Sequence, residues 1–158
     1  MRRLLVTLTL LSGLAVIVPG EAAAIIQIDR GISGVRIDNT KRQVRAALGT
    51  PKSIDHGSND FGPFTEFRYA GKIRVLFSGG NRVTLVSTRG LGDRTARGVG
   101  VGSTRRAVRN RVPGVTCEPP SIGLRVCHTN EFVGGQRVTS FILRNGRVIR
   151  ADVGVVID

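Results

Sequence analysis

Gly34-Val-Arg-Ile-Asp-Asn-Thr-Lys-Arg-Gln-Val-Arg-Ala-Ala-Leu48 returns 64 residues later as Gly98-Val-Gly-Val-Gly-Ser-Thr-Arg-Arg-Ala-Val-Arg-Asn-Arg-Val112. Six of the fifteen positions are identical, and several others exchange like for like, such as Ile37 for Val101 and Leu48 for Val112. A second match follows in the same order, where Phe77-Ser-Gly-Gly-Asn-Arg-Val83 meets Ile142-Leu-Arg-Asn-Gly-Arg-Val148 at a displacement of 65. Two matches in the same order read as an internal duplication.

Each copy predicts a short helix. Asn39-Thr40 and Ser103-Thr104 offer side chains that cap free helix amides. Val44, Ala47 and Leu48 fall on one face, as do Val108 and Val112, so these faces should be buried, with Arg45 and Arg109 pointing to solvent. Gly49 and Pro51 stop the first helix, and Pro113-Gly114 the second.

Alternating apolar residues then predict strands at Phe64 to Ala70, Lys72 to Ser78 and Arg82 to Thr88. In the second copy they fall near Gly123 to His128, Arg137 to Leu143 and Arg147 to Val156. Asn145-Gly146 between the last two is a strong type I′ hairpin signal. The expected class is α+β: two tandem units, each a helix and a three-stranded antiparallel meander, with the helices covering one face of the sheet. The expected bounds are a signal peptide at 1–24, a first unit at 25–90 and a second at 91–158, in one mature domain, with Gly90-Leu91-Gly92 as the junction.

The stretch reading VRIDNTKRQVRAALGTP resembles the opening of the repeat in the secreted β-lactamase inhibitor proteins and in small outer-membrane assembly lipoproteins. Thr40, Val44, Leu48, Gly49 and Pro51 carry the likeness in the first copy, and Gly102, Thr104, Val108 and Val112 in the second. It spans roughly residues 32 to 157, and it implies a fold rather than an activity. The chain departs from the inhibitors in having no Trp and one Tyr, the residue types that anchor interfaces. It departs from the lipoproteins in having no cysteine at the expected cleavage site.

The chain opens with Arg2 and Arg3, an apolar stretch from Leu4 to Val18, and the small-residue site Ala22-Ala23-Ala24. This is the order of a secretory signal, cleaved near Ala24, with no transmembrane anchor left after processing. Removing it leaves 22 basic and 10 acidic groups, a net charge of +12 against +13 for the whole chain. Of the 24 basic residues, 21 are Arg and three are Lys. Cys117 and Cys127, an even pair in an oxidising compartment, predict one disulfide.

Candidate sites are few. The run Asp55-His56-Gly57-Ser58-Asn59-Asp60 reads as a polar loop, with Asp55, His56 and Asp60 as partner contacts or, in a hydrolase reading, as a catalytic group. Lys41 and Arg42, with Arg105 and Arg106, put cations in the first turn of both helices, where they oppose the helix dipole. That arrangement suggests an anion held by helix amides and guanidinium groups together. No metal-ligand spacing and no cofactor motif is present, and with few aromatics for base stacking nucleic acid is not expected. The function expected is that of an extracytoplasmic, non-catalytic module engaging an acidic protein or an anionic envelope polymer or surface. The alternatives are an inhibitor of a secreted or periplasmic enzyme, by resemblance, and a small hydrolase using the His56 loop.

Overall fold

The computed structural model describes residues 25–157, so the expected signal segment lies outside the described residues. In order, the elements are β1 Ile25–Gln27, β2 Gly31–Ile32, β3 Val35–Arg36, α1 Lys41–Leu48, β4 Ser53–Asn59, β5 Gly62–Arg68, β6 Ile73–Ser78 and β7 Leu85–Thr88. They continue as β8 Arg94–Thr95, α2 Arg105–Arg111, β9 Thr116–Cys117, β10 Leu124–His128, β11 Arg137–Arg144 and β12 Arg147–Val155.

Strands dominate, and this overturns the expected α+β arrangement. Eight of them form one antiparallel sheet in the order β4-β5-β6-β7-β12-β11-β10-β9. Seven gaps of about 4.8 Å make such a sheet about 34 Å wide. The helices have eight and seven residues, so each is only about 10–12 Å long. Two such helices cannot form a layer over that width. Each helix buries one residue completely, Val44 and Val108. A small second sheet, in the order β3-β2-β1-β8, supplies Ile26, Ile32 and Val35 to the same core. Its β2 lies against β7 and β12.

The meanders have four strands each, not three. The run expected as a loop at Asp55–Asp60 is largely strand β4, paired with β5 from Ser53↔Arg68 to Asn59↔Gly62. Sequence patterning missed it because an edge strand with polar residues on both faces shows no apolar alternation. The strand order is also palindromic: the last strands of the two halves, β7 and β12, meet antiparallel at the centre from Ala151↔Thr88 to Gly154↔Leu85.

Both helices start in the same way. Thr40 Oγ1 accepts from the Gln43 amide, and Thr104 Oγ1 from the Ala107 amide. The amides of Lys41 and Arg105 donate to Asn81 and Gly146 in the hairpins beneath them. Arg82 Nη1 donates to the Asp38 carbonyl at 3.0 Å, and Arg147 Nη1 to the Gly102 carbonyl at 3.1 Å. The paired apolar positions Val35 and Val99, Ile37 and Val101, Val83 and Val148 are buried in both halves. Asn145 and Gly146 both have positive φ, at 49° and 74°, which is the conformation a type I′ hairpin requires.

Candidate functional site

The alternation of β4 separates the groups that sequence placed in one loop. Asp55 lies opposite Glu66 and meets Arg68 Nε at 3.0 Å, while His56, one residue on, lies opposite Thr65. His56 Nδ1 is 3.2 Å from Thr65 Oγ1, which also accepts from Lys41 Nζ at 3.1 Å. Successive residues of a strand point to opposite faces, so His56 and Asp55 do not converge on one substrate. Asp60 sits at the β4–β5 turn.

The first-turn cations are also dispersed. Lys41 folds onto its own sheet, with Nζ 5.4 Å from the centre of the Phe77 ring. Arg42 and Arg106 are exposed on separate helices. Arg105 lines a pocket with Arg109, Thr116 and Arg125. The helix amides are largely occupied. In both helices the first amide is bonded to a hairpin carbonyl and the third to the capping threonine. Little remains there to hold an anion.

The uncovered face of the large sheet carries an ion network. Burial alone would raise the Glu66 carboxyl, but Arg74 and Arg68 more than offset it and hold the group below its ordinary value of 4.5. Arg68 Nε donates to Glu66 at 2.6 Å, and Arg74 Nη2 donates to the other oxygen. Across the sheet, burial pushes the Asp152 carboxyl up, against the opposing pull of Arg150 and of the Ser87 hydroxyl at 2.7 Å. Glu66 and Asp152 are thus each already held by a guanidinium group.

An opening lies at one end of the sheet, where the two halves meet. The β5–β6 turn, the loop after β7, the approach to α2 and the start of β12 enclose a cleft of about 730 Å³. Its floor is apolar, with Tyr69, Ile73, Leu91, Val101, Val148 and Ile149. Arg68, Lys72, Arg74, Arg89 and Arg147 surround it, and among the described residues no carboxylate lines it. Arg68 and Arg74 are committed to Glu66. No ion pair joins Lys72, Arg89 or Arg147 to an acid among the described residues. Tyr69 is 8 % exposed, its hydroxyl is buried without a hydrogen-bond partner, and burial raises its pKa while the Arg45 charge opposes. Lys72 itself sits at φ 65°, a left-handed conformation that favours glycine. Sequence reasoning missed this site because its cations come from segments as far apart as Arg68 and Arg147.

Cys117 and Cys127 are bonded, as expected, and sit opposite each other on β9 and β10. Such a bond fits an oxidising, extracytoplasmic compartment. Among the described residues no helix is long and apolar enough to cross a membrane, and no cluster of three metal-ligating side chains occurs.

No family model matches the chain, and no curated protein does. Some solved structures resemble it, the first of them in fold. A DUF4309 family protein, YjgB, from Bacillus subtilis superposes with a TM-score of 0.52 at 17% identity, over 78% of this chain and 84% of that one. A cysteine-rich secretory protein from Staphylococcus aureus gives 0.48 at 7% identity, over 75% of this chain and 44% of that one. An extracellular protein containing an SCP domain from Bacillus anthracis gives 0.46 at 10% identity, with the same two coverages. These neighbours are neither β-lactamase inhibitors nor assembly lipoproteins.

Proposed function

We propose that this chain is an exported, non-catalytic binding module that engages an anionic partner through the cleft between its two halves. Residues 1–24 would serve as the cleaved export leader. The observation that carries the reading is the cleft's charge: five cations and no carboxylate around one opening. Lys72, Arg89 and Arg147 keep their charge available, and in a concave, partly desolvated site such charges attract anions more strongly than on an open surface. The disulfide and the high net charge support the same reading.

The test is titration of a soluble anionic polymer, polyphosphate, into the mature protein at low and high salt. Binding is expected at low salt and should weaken steeply as salt rises. The triple change Lys72→Ala, Arg89→Ala, Arg147→Ala should abolish it, while Arg42→Ala with Arg106→Ala should leave it intact. Equal loss in both variants, or no binding at low salt, defeats the reading.

A further inference from the structure

We infer that the cleft's ligand is an amphiphilic anion: one acid group carrying an apolar chain. The inference rests on the anion-binding reading and narrows it. A purely hydrophilic anion would satisfy the cations but leave the apolar floor in contact with water. Tyr69, Ile73, Val101, Val148 and Ile149 give that floor more apolar surface than an ion alone requires. Leu91 extends it to the margin; flanked by Gly90 and Gly92, it stands 70% exposed in the junction loop. An isolated exposed leucine is ordinary, but one placed at the mouth of an apolar cleft lengthens the surface a chain can lie along.

The polar side of the site points the same way. Lys72 and Arg89 supply charge at the same mouth, and the cleft's 730 Å³ falls within the range of about 300–1,000 Å³ typical of small-molecule sites. The head group would therefore lie against Lys72 and Arg89, and the chain would run over Ile73 and Val148 toward Leu91.

Calorimetric titration of the mature protein with three probes below their micelle concentrations tests this: dodecyl phosphate, butyl phosphate and dodecyl maltoside. Dodecyl phosphate should bind at least about tenfold more tightly than butyl phosphate, the gain that burying two methylene groups gives. Dodecyl maltoside should not bind. Leu91→Ser, at an exposed position, should weaken dodecyl phosphate and leave butyl phosphate unchanged. Arg89→Ala should weaken both phosphates by about tenfold or more, as loss of one hydrogen bond to a charged group does. Equal affinity for the two phosphates overturns the inference while the anion-binding reading stands. Silence from both phosphates and from an oligo-aspartate peptide removes the two together. Binding of the maltoside as tightly as the phosphate, or indifference to both substitutions, overturns the inference by placing the chain elsewhere. So does tight binding of an oligo-aspartate peptide with dodecyl phosphate silent, which would assign the cleft to an acidic protein.

Discussion

The outermost strands of the large sheet, β4 in the first half and β9 in the second, occupy equivalent places and are secured by different means. β4 pairs with β5 along all seven of its residues, and Asp55 meets Arg68 across the pair. β9 has two residues, yet Cys117 is bonded to Cys127 on its neighbour. Cross-strand pairs are worth about 0.2–1 kcal/mol each, so a two-residue strand gains little from its ladder. A disulfide across a separation of 10 residues contributes about 2–3 kcal/mol in the chain-entropy model. One edge is kept by length and the other by a covalent bond. The polar, exposed residues of β4 also discourage edge-to-edge pairing with other chains.

If the halves differ at their edges and agree beneath their helices, the largest effect should be the same in both. Val44→Asp and Val108→Asp each place an unpaired charge at a site with no solvent exposure. Each should cost more than about 4 kcal/mol and leave the protein unfolded by circular dichroism. A folded protein from one of the two would break the equivalence.

Next comes the covalent edge. Cys117→Ala with Cys127→Ala should lower stability in urea by about 2–3 kcal/mol. Amide exchange should rise at Glu118, whose N–H donates to Val126, and stay unchanged along β4 and β5. Equal loosening at both edges would mean that the staple acts globally.

The ion network gives a smaller effect that depends on pH. Glu66, held below 4.5 in the folded protein, contributes stability that is present above that pH and lost as pH falls through the depressed folded value. Glu66→Gln should therefore cost about 1–2 kcal/mol at neutral pH and much less near pH 3. Asp152, raised above 3.8, has the opposite sign: its charged form costs stability at neutral pH, and the cost is relieved as pH falls through the raised value. Asp152→Asn should leave neutral-pH stability unchanged or higher, as replacement of buried charge often does. Denaturant midpoints at the two pH values check both signs.

The smallest contrast lies on the helices. Arg45 and Arg109 are both exposed, as expected, but only the first has an aromatic beneath it, with its guanidinium 4.9 Å from the centre of the Phe67 ring. Arg45→Ala should cost about 0.5–1 kcal/mol, and Arg109→Ala only a few tenths. Equal thermal midpoints for the two variants would remove the distinction.

What the sequence determined by itself was local or repeated. Thr40 and Thr104 cap helices because a short hydroxyl reaches an amide three residues on, and Asn145-Gly146 turns because both residues tolerate positive φ. The chain's two cysteines left one possible intramolecular pair, and it is bonded across β9 and β10. Tertiary structure decided the rest. β4 is a strand because β5 lies beside it; nothing in Ser53–Asn59 alternates strongly enough to announce it. The helices form no layer because the sheet joins across β7 and β12 to a width they cannot cover, and the small sheet covers the rest of the same face. The cleft exists because that junction brings Lys72, Arg89 and Arg147 to one end of the sheet. Pairing between distant strands and charge gathered from distant segments are properties of contacts, and no local window of residues contains them.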